Sequence, residues 1–274
     1  MTRLITLIAM AAALASTAIG ETGEAACANA FDPSKAQAWQ TQTPCLEAKV
    51  RERVERPRSD GLFQNGQGFY VGDGSFILTA AHVVGGCQYF SVTDSGGAER
   101  NAGLVLWDAR RDIAVLRPQH GGPLGQSGRG YGLELGFPPR SEVIGPVNIG
   151  LVDILDRTAK PPTLVTRNAS PPVAAPLGPG KSIVLEGARL EAGASGAPVL
   201  NGAGEVVGMV TANIELNAGQ DGPKLFTVAT PSFELEKALI HAGGDNRVRP
   251  PHVNVSNPST APSVAENLVK IRCR

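Results

Sequence analysis

The chain has 274 residues, of which 42% are apolar, and its 25 basic and 25 acidic side chains balance to a formal charge of zero. This length fits one β-rich domain of about 200 residues with additional segments on either side. Because no long block of like charge is present, neither a nucleic-acid surface nor an anchor for acidic lipids is expected. The 33 glycines and 21 prolines favour turns and short strands over long helices.

Residues 1–20 have the pattern of a secretory signal peptide. Arg3 precedes an apolar run from Leu4 to about Ala18, and small residues lead to an expected cleavage site before Glu21. The run is shorter than the roughly 20 apolar residues that a membrane-spanning anchor needs. We therefore expect a secreted or periplasmic protein without stable membrane insertion once the signal peptide is removed.

Export would place the cysteines in an oxidising compartment, where an even number favours disulfide bonds. The four cysteines are Cys27, Cys45, Cys87 and Cys273. Three pairings are open, and in any of them the last cysteine would tie the tail to the body. A zinc site is disfavoured, since no two cysteines lie two to four residues apart and the histidines are scattered. No metal or other cofactor is expected.

The remaining chain divides into three segments. Residues 21–60 read as a polar, partly helical N-terminal extension, whereas residues 61–243 contain about a dozen short strand-like segments separated by glycine turns. With no helical periodicity between them, these strands predict an all-β barrel or sandwich and not alternating βα units. One helix is expected over 231–244. Residues 244–274 read as a proline-rich linker and a tail that ends in a short helix.

Three segments of the predicted β-domain carry side chains suited to nucleophilic catalysis. A serine hydroxyl becomes reactive when a base accepts its proton, an acid orients that base and amide donors stabilise the oxyanion. His82 follows a strand in "TAAHVV", Asp112 opens the buried strand "DIAVL", and Ser195 lies among small residues in "GASGAP". The amides of Gly193 and Ser195 can point at one position if Gly193 adopts a conformation that a Cβ would resist.

Two nearby residues of the same types have plainer interpretations. A second Gly-x-Ser-Gly segment contains Ser127, which is followed by Arg129 and not by a proline and a strand, so we assign it to a loop. Asp108 lies outside the apolar run and close to Arg110 and Arg111, so a solvated ion pair is its expected role.

Taken in order, the three segments resemble those of the trypsin-like serine peptidases, especially bacterial HtrA-like and glutamyl-endopeptidase-like members. The resemblance covers roughly residues 60–240, and "GEVVGMVTA" resembles the substrate-lining strand of that family. It implies a chymotrypsin-like fold of two six-stranded antiparallel β-barrels with a C-terminal helix. It also implies His82 as general base and then acid, Asp112 as its orienting acid, Ser195 as nucleophile, and the Gly193 and Ser195 amides as oxyanion hole.

The resemblance further implies where substrate binds. The expected substrate-binding residues are Arg189, Leu190, Val210, Thr211, Ala212 and Asn213. No acidic residue occupies the base of this pocket, so a preference for Lys or Arg is not expected. The substrate main chain should add a strand along the edge near Val210.

The chain departs from the family pattern at several positions. Ala194 stands where Asp or Asn is usual, Ala197 replaces a frequent glycine, and Cys87 lies five residues after the histidine instead of beside it. No PDZ domain follows the peptidase-like region, unlike in HtrA proteins. An α/β-hydrolase is disfavoured because its order is serine, acid, histidine, and neither candidate serine lies in Gly-x-Ser-x-Gly.

Two functions of different classes are compatible with these residues. The first is an exported serine endopeptidase that hydrolyses protein or peptide substrates through an acyl-enzyme. The alternative is a catalytically silent binding protein on a peptidase scaffold, because fold alone does not determine function. An intermediate case is a zymogen from which the extension 21–60 is removed.

Overall fold

The computed structural model describes residues 65–87, 89–94, 96–119, 132–136, 147–152, 164–169, 182–186, 190, 192–217, 223–245 and 261–273. The strands are β1 Asn65–Val71, β2 Phe76–Thr79, β3 Phe90–Asp94, β4 Glu99–Asp108, β5 Ile113–Pro118, β6 Val147–Val152, β7 Leu164–Ala169, β8 Ile183–Glu186, β9 Pro198–Leu200, β10 Val206–Asn217, β11 Pro223–Pro231 and β12 Leu268–Cys273. The helices are α1 Ala81–Val84, α2 Ser232–His241 and α3 Ala261–Glu266. The predicted signal peptide, the extension 21–60, Ser127 and Arg189 lie outside the described residues.

The first sheet is a closed antiparallel barrel with the strand order β1-β12-β3-β4-β5-β2. Phe69, Ile77, Val115 and Ile271 are fully buried in its strands. Phe69 and Val115 both pair with Leu78, whereas Ile77 lies on the opposite face of the sheet, so both faces are buried here. This is why "FILT" and "IAVL" are nearly continuous apolar runs. The first of the two barrels implied by the resemblance is therefore present.

The strand β12 comes from a segment for which the sequence predicted a helical tail. It pairs with β1 on one side, where Leu268 faces Phe69, and with β3 on the other, where Cys273 faces Phe90. The helical prediction was wrong for these residues, because their buried positions include every second residue from Val269 to Cys273, the period of a strand. Part of the segment 244–274, expected to be a linker and tail, thus completes the barrel.

A disulfide joins Cys273, at the end of β12, to Cys87. The two Cα atoms are 5.4 Å apart, and 186 residues of sequence separate the two cysteines. This is one of the pairings that the sequence left open, and it ties the end of the chain to the body as expected. Cys27 and Cys45 lie outside the described residues.

The second sheet has six antiparallel strands in the order β7-β6-β9-β10-β11-β8. Its core contains Ile149, Leu185, Val199 and Ala229, all fully buried. The described residues form no strand pair that closes this sheet into a barrel, so the second barrel stays a prediction. The described chain is mostly β, as predicted.

Two connections join the second sheet to the barrel. Val71 of β1 bridges to Leu133, and Leu135 bridges to Val206 of β10. The predicted helix after β11 is α2, which buries Leu235 against the core. No helix in the described part of the chain is long and apolar enough to cross a membrane.

Candidate active site

The short helix α1 carries His82 at the end of β2. Ala80 and Ala81 before it are fully buried. The indole N–H of Trp107 on β4 donates a hydrogen bond of 3.1 Å to the carbonyl of Ala81, which fixes the start of the helix. The His82 side chain is 12% exposed, so its ring lies at the surface of the barrel with one edge accessible.

Asp112 contacts His82 through both carboxylate oxygens. Its Oδ2 lies 2.8 Å from Nδ1 of the ring, and its Oδ1 accepts a hydrogen bond of 2.9 Å from the backbone amide of His82. Asp112 is only 2% exposed, and a buried carboxylate needs such partners to offset its desolvation. With Nδ1–H donated to the carboxylate, the ring is held in the tautomer whose Nε2 can accept a proton.

The turn that carries Ser195 lies between β1 and β10. The carbonyl of Ser195 accepts a hydrogen bond of 2.8 Å from the amide of Gln67, and the amide of Gly196 donates to the carbonyl of Val210 at 2.7 Å. Gly196 has a φ of 89°, and a Cβ there would overlap the carbonyl oxygen of Gln67. Only glycine therefore fits at this position, which explains part of the small-residue pattern around the serine.

Gly66 on β1 is where the serine turn and the histidine helix approach each other. A Cβ on Gly66 would lie 2.5 Å from Cγ2 of Val83 and 3.1 Å from the carbonyl oxygen of Ser195. Because Val83 directly follows His82, the segments that carry His82 and Ser195 pack against one residue. A contact between the Ser195 hydroxyl and the His82 ring stays a prediction.

The backbone at Gly193 has the conformation that the expected oxyanion hole requires. Its φ is 96°, in the left-handed region that a Cβ resists. Among the described residues, the amides of Gly193 and Ser195 donate to no backbone carbonyl. Ala194, where the family usually has a polar residue, is 6% exposed.

The expected substrate-binding residues lie along β10 and its neighbours. Asn213 donates from Nδ2 to the carbonyl of Leu190 at 2.9 Å and accepts from the hydroxyl of Thr227 at 3.0 Å, so its amide is fixed on both sides. Thr211 is buried, and its hydroxyl donates to the carbonyl of Val228. Val210 and Ala212 are also buried and flank a β-bulge. Arg189 lies outside the described residues.

Among the described residues, no strand partner covers one edge of β10 beyond the serine turn, and this part is called the open edge of β10. The ladder with β9 runs from Val206 to Met209, whereas the ladder with β11 continues to Asn217. In the part of the chain that the structure describes, no strand pairs with the other edge beyond Val210. An extended peptide could bind there through main-chain hydrogen bonds, as the sequence predicts.

Sequence reasoning missed two contributions to this site. It did not predict that Gly66 and Gln67 of β1 receive the serine turn, although "NGQG" between polar residues and a strand is compatible with a close backbone approach. It assigned Asp108 to an ion pair with its arginine neighbours, and the pair with Arg111 is present at 2.7 Å. It did not predict that Arg111 also contacts Glu234 of α2.

No metal centre accompanies these groups in the described ranges, where no three His, Cys, Asp or Glu side chains lie together as ligands. The site instead consists of a histidine–carboxylate pair on a closed antiparallel barrel and a glycine-flanked serine against the second sheet. A closed antiparallel barrel with such side chains is typical of proteins that have a chymotrypsin-like fold.

The trypsin-like peptidase domain family matches residues 66–209, which include all three candidate residues. The chain belongs to the family of trypsin-like peptidases. Its HtrA-like relatives agree with the resemblance described above.

Two curated relatives and one solved structure illustrate the likeness. HhoA of Synechocystis sp., named as a serine protease, is 27% identical over 166 residues, which cover 57% of this chain and 39% of that protein. A DegP-like protein of Rhizobium meliloti, named as a periplasmic serine endoprotease, is 25% identical over 211 residues, or 70% of this chain and 37% of that protein. The chain thus spans less than two fifths of either relative.

The crystal structure of a serine endoprotease from Yersinia pestis superposes with a TM-score of 0.50 and 20% identity, over 71% of this chain and 65% of that one. At this identity the likeness concerns the fold.

Proposed function

We propose that the protein is a serine endopeptidase that hydrolyses peptide bonds through an acyl-enzyme, with His82, Asp112 and Ser195 as its catalytic residues. The observation that carries this proposal is the 2.8 Å contact between Nδ1 of His82 and Oδ2 of Asp112, in a chain of the trypsin-like peptidase family. A carboxylate in this position keeps Nε2 able to accept a proton and stabilises the imidazolium that then forms.

The reaction follows from these roles. Oγ of Ser195 attacks the carbonyl carbon of the scissile bond while His82 accepts the hydroxyl proton, and the amides of Gly193 and Ser195 stabilise the oxyanion. The C–N bond then breaks, and His82 returns the proton to the departing amine. Water, deprotonated by His82, attacks the ester and releases the carboxylic acid product with the serine regenerated. Each step uses one base that alternates with its conjugate acid.

The substrate is a protein or peptide that binds in an extended conformation. The open edge of β10 supports this part of the proposal, because its main-chain groups can pair with an added strand. Leu190 and Asn213 border the expected side-chain pocket and present no net charge to it, and Asn213 is already bonded to the wall. We therefore propose uncharged side chains before the scissile bond.

We also propose that the protein acts after export from the cytoplasm. The apolar pattern of residues 1–20 supports export. The Cys87–Cys273 disulfide is stable in an oxidising compartment and is unusual in a reducing one. One relative is itself named as periplasmic.

A fluorophosphonate probe and a peptide-library digest test the proposed activity. The wild-type protein should be labelled at Ser195 and should cleave peptides, whereas Ser195→Ala should lose labelling and several orders of magnitude of turnover. Ser127→Ala is the matched control, because Ser127 lies in the second Gly-x-Ser-Gly segment of the same chain, and it should keep both properties. Wild-type protein that is folded but neither labelled nor active would refute the proposal and favour a silent binding protein.

A further inference from the structure

Asp112 has an uncommon backbone conformation that the surrounding contacts help to hold. Its φ of 54° lies in the left-handed region, and no other non-glycine residue in the described part of the chain has a positive φ. Aspartate enters this region at lower cost than most residues with a Cβ but less readily than glycine. The conformation matters for the site because it directs a buried carboxylate at His82.

The turn before Asp112 is held from within by Asp108. Its Oδ1 accepts hydrogen bonds from the amides of Arg110 at 3.0 Å and Arg111 at 3.1 Å. The Asp112 amide in turn approaches the carbonyl of Ala109 at 3.4 Å. These local bonds shape the turn but do not attach it to any other part of the molecule.

Arg111 attaches the turn at two points, Glu234 and Thr230, and also contacts Asp108 within the turn. Its Nη1 lies 2.7 Å from Asp108 and its Nε lies 2.9 Å from Oε2 of Glu234, while its carbonyl accepts a hydrogen bond of 3.1 Å from the Thr230 hydroxyl. Thr230 is near the end of β11 and Glu234 is in the first turn of α2. The turn that leads to Asp112 is therefore attached to the chain that leaves the second sheet.

This attachment connects the two halves of the candidate site. The strand β11 pairs with β10, and Val210 of β10 binds the amide of Gly196 in the serine turn. A path of direct contacts thus runs from Asp112 through Arg111 and β11 to the segment that carries Ser195. Along this path the histidine–carboxylate pair is positioned relative to the nucleophile.

The charges at this contact also require Arg111. The Glu234 carboxylate is 6% exposed, and Lys237, its other cationic neighbour, is largely in solvent and 3.3 Å away. The hydrogen bond to Asp108 raises the pKa of Arg111 above its ordinary value, which favours the charged guanidinium. The guanidinium of Arg111 has N–H donors on two sides, so it can bind the carboxylates of Asp108 and Glu234 at once. The ammonium group of a lysine does this less well.

We propose that Arg111 is a positioning residue that holds Asp112, and through it His82, in register with Ser195. This inference rests on the proposed peptidase function and adds to it a residue that touches neither substrate nor the reacting atoms. Its anchors are Thr230 on β11 of the second sheet and Glu234 on α2, which follows that strand.

The test compares Arg111→Ala with Arg110→Ala in peptide hydrolysis and in thermal unfolding. Arg110 is the matched control because it lies in the same turn, is exposed, and has no ion pair with another described residue. Arg111→Ala should lower kcat on the order of 10- to 100-fold with KM within about twofold, as expected for a misplaced catalytic group. Arg110→Ala should retain both constants within about twofold. Arg111→Ala should unfold at a lower temperature than Arg110→Ala, because the buried Glu234 carboxylate loses its close cationic partner, so kcat is compared at a temperature at which both variants are folded.

A second pair of variants distinguishes positioning from a general loss of structure. Arg111→Lys should recover part of kcat, and Glu234→Gln combined with Arg111→Ala should lower kcat no further than Arg111→Ala alone. Equal kcat values for Arg111→Ala and Arg110→Ala, or a change confined to KM, would overturn the inference. The proposed function is tested separately, since it fails only if Ser195→Ala stays active or the wild type is inactive.

Discussion

Removal of the Cys87–Cys273 disulfide is expected to have the largest effect on stability of any single change outside the site. The bond joins residues separated by 186 positions, and it attaches the barrel strand β12 next to the helix that carries His82. In the chain-entropy treatment, cross-linking a loop of this length stabilises the folded state by about 5 kcal/mol. That is a large part of the roughly 5–15 kcal/mol by which a domain is stable.

The double variant Cys87→Ser/Cys273→Ser tests this estimate without leaving an unpaired thiol. Its urea unfolding midpoint should fall by an amount that corresponds to about 3–5 kcal/mol at an unchanged slope, since engineered losses are often smaller than the entropic value. Hydrogen exchange should show that Leu268–Cys273 opens first, because the covalent attachment at the end of the strand is gone. The variant and the wild-type protein are compared with any free thiols blocked. An equal urea midpoint for the two proteins would refute the reasoning.

Two further predictions concern backbone and burial. Gly196→Ala should destabilise the protein by about 3 kcal/mol or more in urea unfolding and abolish activity, because the new Cβ overlaps the carbonyl oxygen of Gln67. Gly243→Ala is the control, because Gly243 also has a positive φ, 82°, but has no atom within 4 Å of the new Cβ. It should cost only about 1–2 kcal/mol. Burial raises the pKa of Tyr70, so the unfolded chain releases this proton first and stability should fall as the pH rises above about 10. Tyr70→Phe should remove that alkaline fall and leave stability at neutral pH unchanged or about 1 kcal/mol higher, because the buried hydroxyl has no hydrogen-bond partner among the described residues. An alkaline fall of the same size in both proteins would contradict this account.

The sequence was sufficient to predict the residues that meet at His82. A small-residue turn after one buried strand and a carboxylate at the start of another can be recognised because each pattern is local. The pairing of Asp112 with His82 followed from the cost of burying a carboxylate without a partner. The positive φ at Gly193 likewise followed from the geometry that two converging amides require.

The contacts that were missed are all between distant parts of the chain. "LVKIRC" is too short for its period to distinguish a helix from a strand, and only the unpaired edges of β1 and β3 decide that it becomes β12. The Glu234–Arg111 pair was missed for a similar reason. A glutamate in the first turn of a helix is favourable by itself, so nothing in the sequence of α2 indicates a partner in the barrel.

The position of β12 has a consequence for the order in which the protein matures. The barrel carries the histidine–carboxylate pair, and its last strand in chain order is β12, residues 268–273. This strand is synthesised long after the other five. Pairing between such distant segments forms late, because a long loop must close before any contact repays the entropy. A polypeptide in which residues 268–273 have not yet paired therefore has unpaired edges on β1 and β3, and the barrel that carries the histidine–carboxylate pair is incomplete until this segment joins it.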